Sequence, residues 1–250
     1  MRLVRAEVLK LVRRRGLMAW TWILTLGAVL VAEIVLVILH AVNPDHHGPA
    51  GGQANLSHYL DVLLGLGTIA AIMVGATAGS QDVANGVFRD LVVTGKSRST
   101  LFNVRAPGTL LVLLPIVAIA FAAGVVGAFV FAGDLANPSG KVIGEYAAYV
   151  FAAILLNVVL AVALTSFASS RVVVGVLVAW NVLVGPLLLQ IGSLGAARKA
   201  IDVAAIDHFG PDQYVNDNVS MSTGTALLVL AVWIVVFSTA GRMWTERRDA

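Results

Sequence analysis

The chain has 250 residues, of which 58% are hydrophobic and 12% charged, with a net charge of +3 and no cysteine. Soluble domains carry about 45–50% apolar and about 25% charged residues, so this chain has too few polar side chains to coat a water-soluble core and reads as an integral membrane protein. Its positive charge flanks apolar runs and forms no basic stripe with interleaved aromatics, which excludes nucleic acid as a partner, and the lack of cysteine excludes disulfides, cysteine-ligated zinc and thiol nucleophiles.

Residues 1–15 carry Arg2, Arg5, Lys10, Arg13, Arg14 and Arg15 against one acid, Glu7. Val4, Val8, Leu11 and Val12 recur at helical spacing along one side, which predicts an amphipathic helix lying along the inner leaflet. The plainer reading is a basic tail that only sets orientation. Residues 17–39 form the first apolar run, long enough for the ~20 residues a helix needs to cross hydrocarbon. They are too many for the ~7–15-residue core of a secretory signal. The loop 40–57 has no Lys or Arg and is predicted to face outward. Its Asp45-His46-His47 are adjacent and lack further ligands at metal-site spacing, so they read as solvated. Residues 58–80 form the second span, with Asp61 near its outer end. Gly75 and Gly79 lie one helical turn apart at its inner end, a spacing that lets another helix come close.

The charged island 81–105 follows, and its order is informative. Gln81-Asp82 leaves the span, Gly86 breaks the chain, a half-apolar helical run passes through Leu91-Val92-Val93, and Gly95 precedes Lys96 and Arg98. Such a segment lies on a membrane surface and offers a handle to the cytoplasm. An acid four residues before a glycine, an aliphatic turn and a small-residue/Arg end resemble the loop after the second span in six-span permeases of type-2 ABC exporters. In that family the loop forms a coupling helix that docks into a separate ATPase. The resemblance implies ATPase-coupling roles for Asp82, Gly86, Arg89, Gly95, Lys96 and Arg98. Ala6-Glu7-Val8-Leu9-Lys10 likewise looks like the family's amino-terminal elbow helix, which implies an inner-leaflet element carrying Glu7, Lys10, Arg13, Arg14 and Arg15. The chain departs from the family in having Asp82 for the usual Glu and Val87 for the usual Thr. The resemblance further implies a second permease chain, identical or related, and two copies of a cytoplasmic ABC ATPase. The ATPase would bind ATP and Mg, leaving this chain without a cofactor of its own, in the cytoplasmic membrane of a bacterium.

The third span is predicted at 106–131, with Pro107 in its first turn and Pro115 as a kink. Spans at 146–168 and 172–195 are joined by Ser169-Ser170-Arg171 alone, which makes them an antiparallel hairpin closed on the inside. Residues 196–223 hold Arg198, Lys199, Asp202, Asp207, Asp212 and Asp217. Carboxylates five apart scatter around a helix, which predicts a solvated acidic outer loop with a short helix over 196–206 outside the membrane. The last span, 224–243, ends in Trp244, Arg247 and Arg248, suited to an interface and the cytoplasm. Of the 17 Lys and Arg, only Lys141, Arg198 and Lys199 then fall outside. That bias predicts an all-α membrane protein with six spans and both ends cytoplasmic.

Thr94-Gly95-Lys96-Ser97 echoes the end of a phosphate-binding loop, but the pattern needs a glycine where Asp90 stands, and a carboxylate there would repel phosphate. His40, His46, His47, His58 and His208 all fall at outer ends or in outer loops, so no nucleophile at membrane depth has a base. The chain therefore reads as non-catalytic. Glu33, Asn157, Asn181 and Gln190 are the candidate pathway-lining residues, with helix-to-helix adhesion as their competing role. So few deep polar groups favour an amphipathic or apolar cargo, a small molecule, lipid or peptide, over a sugar polymer. Two rival readings are an ATPase-independent secondary transporter or channel, for which midplane charges and paired repeats are expected, and a non-transporting scaffold or immunity protein.

Overall fold

The computed structural model describes residues 2–211 and 219–247. Every regular element among them is helical, and six helices are long and apolar enough to cross a membrane. A short helix, α1 (Arg2–Val12), comes first. Arg13, Arg14 and Arg15 form the corner after it, where Arg14 has a non-helical ψ of 81°. The six long helices are α2 (Arg15–Val42), α3 (Gly52–Ala84), α5 (Arg98–Val130), α6 (Gly140–Leu164), α7 (Ser170–Gln190) and α9 (Thr223–Arg247). Between α3 and α5 lies α4 (Val87–Val93), and between α7 and α9 a 3-10 turn, Gly192–Ala200, leads to α8 (Asp202–Asp207).

Several long helices outrun their apolar runs. Hydropathy marks only the oily part of a helix, whereas the backbone continues until something stops it. Helix α3 carries Gln81 and Asp82 along and stops only at Asn85-Gly86, where Gly86 takes a left-handed φ of 71° that favours glycine. Helix α5 begins a full two turns before residue 106, because Ser97 caps it by accepting a hydrogen bond from the Thr100 N–H at 3.2 Å. By contrast α7 ends at Gln190, short of the predicted 195, as Ile191 turns extended and Arg198 Nη1 donates to the freed Leu189 carbonyl at 3.0 Å. Two of the long helices contain a wide π turn, Ile23–Gly27 in α2 and Trp180–Val184 in α7.

Helices α3 and α6 are the most enclosed of the six, while α2, α7 and α9 turn most of their surface outward. The contact between α3 and α6 is made at the glycines singled out in the sequence: a Cβ on Gly75 would meet Val158 and Ala161, and one on Gly79 would overlap the Thr165 hydroxyl. One apolar cluster joins α2, α3, α5 and α6, and a second joins α3, α6, α7, α8 and α9.

The stretch after α7 departs most from expectation. Predicted as a solvated outer loop, it folds back among the long helices instead. Trp180 Nε1 donates to Asp202 Oδ1 at 2.9 Å, Trp233 Nε1 donates to the Ala200 carbonyl at 2.9 Å, and Val203 lies against Gly185. Trp180 and Trp233 stand near the midpoints of α7 and α9, so the turn before α8 reaches about halfway along them. The physical reason is that an indole N–H placed midway along apolar helices needs an acceptor, and this segment supplies two. Asp202 is 1% exposed, not solvated. Asp212 and Asp217 lie outside the described residues, as does Arg248.

Candidate functional site

Two places concentrate polar chemistry, one at an end of the helix bundle and one nearer its middle. At the end that holds α1 and α4, four charges from three helices meet. Lys10 Nζ stands 2.6 Å from Glu7 Oε1 and 2.9 Å from Asp82 Oδ1. Asp82 Oδ2 faces Arg105 Nη2 at 3.7 Å, and Arg105 Nη1 donates to the Gly79 carbonyl at 2.8 Å. Burial pushes the Glu7 carboxyl up, against the pull of Lys10. The set is neutral as a whole, two acids against two bases, which is how such charges tolerate enclosure. Helix α1 reaches it because Gly108 of α5 leaves room for the Glu7 Cβ.

Helix α4 meets this cluster through one buried side chain. Phe88 is its only buried residue, and the Arg105 guanidinium lies 5.7 Å from the Phe88 ring centroid, a cation–π contact. Gly86 and Gly95, both with left-handed φ, bound the helix, and both are exposed. Arg89, Asp90 and Lys96 also face outward. Arg98 is held down, donating from Nη1 to the Glu246 carbonyl at 3.1 Å, which ties the start of α5 to the end of α9.

Of the six residues assigned to coupling by resemblance, Gly86, Arg89, Gly95 and Lys96 therefore lie on an accessible surface. Asp82 does not: it is 5% exposed on the last turn of α3, so its carboxylate serves Lys10 and Arg105 and cannot form part of a docking face. In α1, Glu7 is buried and Lys10 half-buried in the cluster, whereas Arg13 and Arg15 are exposed at the corner. Arg105 and Phe88, the residues that join α4 to the bundle, went unremarked in the sequence. A lone Arg at the head of an apolar run, four residues before a threonine that bonds its carbonyl, was the available signal.

The second place lies nearer the middle of the bundle. A cavity of about 210 Å³ is walled by α3, α6, α7 and α8. Most of the lining is apolar, including Leu64, Ile72 and Val178, and the polar members are Thr68, Tyr149, Asn181 and Asp207. Asn181 sits in the wide turn of α7 and donates to Asn157 Oδ1 at 2.8 Å, while Asn157 Nδ2 donates to the Ala153 carbonyl at 3.0 Å. The Tyr149 hydroxyl donates to Asp207 Oδ1 at 3.0 Å. Burial pushes the Asp207 carboxyl up to about 6, against the hydrogen bond from Tyr149 and with help from nearby Asp202. Burial raises Asp202 too, opposed by the bond from Trp180.

The four candidate pathway residues separate accordingly. Asn181 lines the cavity, Asn157 is fully buried behind it as its partner, and Gln190 is exposed at the end of α7, away from the cavity. Glu33 is buried against Gly127 of α5, with no hydrogen-bond partner for Oε1 among the described residues. It faces protein and lines no cavity described above. Among the described residues no group of three or more His, Asp or Glu is placed to hold a metal ion.

A family model described as a protein of unknown function (DUF2705) matches residues 44–250. The chain belongs to the DUF2705 family. No curated protein matches it. The DUF2705 region takes in α3 through α9, and with them Asp82, Arg105, α4 and the whole cavity. It leaves out α1, whose Glu7 and Lys10 complete the charge cluster.

Proposed function

We propose that this DUF2705 chain is the membrane permease subunit of an ATP-driven exporter of the type-2 ABC class. Two copies, or one copy with a related chain, would form the pathway in a bacterial cytoplasmic membrane with both ends cytoplasmic. Two separate ATPase chains would bind ATP and Mg and supply the motion. The observation that carries this reading is the form of α4: a seven-residue helix between two left-handed glycines, exposing Arg89 and Lys96 and fastened to the long helices through Phe88 on Arg105. A segment built only to link two spans needs no such fastening. One built to receive a push does.

The test is copurification followed by flux. Tagged chain extracted from its native host is expected to bring down a subunit with a complete Walker motif. The pair in vesicles is then expected to move an amphipathic reporter only with ATP. Reversing charge at the two exposed positions, Arg89→Glu with Lys96→Glu, is expected to cut ATP-dependent flux at least tenfold while the chain inserts and elutes as the parent does. Flux from the purified chain alone, or full flux from the charge-reversed pair, would sink the proposal.

A further inference from the structure

The cavity between α3, α6, α7 and α8 has a one-sided chemistry. Its walls are largely aliphatic, and among the described residues no Lys or Arg lines it and its single ionisable carboxyl is Asp207. Tyr149 occupies Asp207 Oδ1, and among the described residues no group donates to Oδ2. Asn181 cannot serve as that donor, since both of its amide bonds go to Asn157 and to the Leu177 carbonyl. Two lining residues, Gly65 and Val182, are exposed and mark a mouth on the apolar flank of the bundle. Entry is thus sideways, at the depth of the long helices' apolar surface. The volume lies below the ~300–1,000 Å³ usual for a drug-sized ligand, so it suits one end of a longer molecule whose tail stays at the mouth.

We propose that this cavity binds the ammonium end of a lipophilic amine, with Asp207 as the counter-ion and Tyr149 holding Asp207 in place. An aliphatic wall with one acceptor-only carboxylate favours a group that is positive, donates hydrogen bonds and carries an apolar tail. An anion would meet no cation there, and a sugar would find too few partners for its hydroxyls. The inference deepens the proposed function by naming a chemical class, and it rests on that reading only for the step from ligand to cargo.

The pH dependence follows from Asp207, which must be ionised to serve. A carboxyl titrating at about 6 is mostly charged at pH 7.5 and mostly neutral at pH 5, so affinity is expected to fall roughly tenfold between them. The groups around it are Tyr149 of α6, Asp202 of its own helix and the adjacent His208, with Asp61 of α3 and Tyr146 acting on Tyr149. His208 is the adjacent imidazole and bonds Thr223 Oγ1, so His208→Gln separates its contribution.

Radiolabelled dodecylammonium binding to the full chain in phosphatidylcholine nanodiscs, against empty discs, tests the proposal. Saturable binding is expected, displaced by unlabelled decylammonium and not by dodecanol. Asp207→Asn, which keeps an acceptor for Tyr149, is expected to weaken binding at least tenfold at pH 7.5 and to remove the fall toward pH 5, which His208→Gln keeps. Val182→Trp, at an exposed position, is expected to block the mouth and weaken binding with Asp207 intact; it decides the matter if Asp207→Asn fails to fold. Displacement by dodecanol as effective as by the cation, unchanged affinity in a folded Asp207→Asn, or no saturable binding above empty discs each overturns it. None of these assays contains an ATPase, so their failure is distinct from failure of the copurification.

Discussion

Replacing Asp82 with alanine is expected to destabilise the protein by about 3–5 kcal/mol, the range found when one partner of an enclosed ion pair is removed. Arg105 is 1% exposed and cannot turn to water, so losing Asp82 takes away the carboxylate 3.7 Å from its guanidinium while the charge stays enclosed. Lys10, about a third exposed, can swing outward and loses less. Unfolding of the purified variant in detergent, followed by circular dichroism against denaturant, measures the effect. Adding Arg105→Met to Asp82→Ala is expected to recover more than half of the loss, because the enclosed charge goes with it. Equal stability of Asp82→Ala and parent would mean the four-charge cluster does not hold α1, α3 and α5 together.

Gly79→Val is expected to be the most damaging of the helix-interior glycine substitutions. Even the first added carbon would overlap the Thr165 hydroxyl and stand 2.9 Å from the Val162 carbonyl, and the latter is backbone that cannot rotate away. Overpacking of this kind costs about 1–3 kcal/mol, and here it falls on the contact between the two most enclosed helices. The matched control is Gly175→Ala in α7, where an added Cβ meets nothing within 4 Å. That change removes the backbone freedom of a mid-helix glycine and is expected to stabilise by about 0.5–1 kcal/mol. The sign difference, read as opposite shifts in unfolding temperature, separates close packing from mere helix propensity. Two shifts of the same sign would refute the tight α3–α6 approach.

The six long helices were readable in the sequence because a span of oily side chains is dictated by length alone. Their ends were not. Hydropathy falls at Ser80, but helix α3 runs on to Ala84 because the residues that follow suit a helix and Asp82 finds Lys10 across the gap. The glycine pair at 75 and 79 was read as a contact point, and its partner, α6, could come only from the structure. Asn157 and Asn181 stood out as polar residues in apolar runs, yet whether they adhere to each other or line a space depends on the extra residue in the α7 turn, which composition does not signal. The acidic stretch was misread for a related reason. Carboxylates spaced by five look solvated when the donors that bury them, Trp180 and Tyr149, lie 22 and 58 residues away.

The glycines that bound α4 carry a mechanical consequence. Each joint permits rotations that a residue with a side chain resists, so the short rod between them can pivot as a unit without unwinding. Its one embedded side chain, Phe88, rests on the guanidinium of Arg105. Torque on the rod therefore arrives at the head of α5 and passes, through Asp82 and Lys10, to the tail of α3 and to α1. The ends of three helices share a single crankpin.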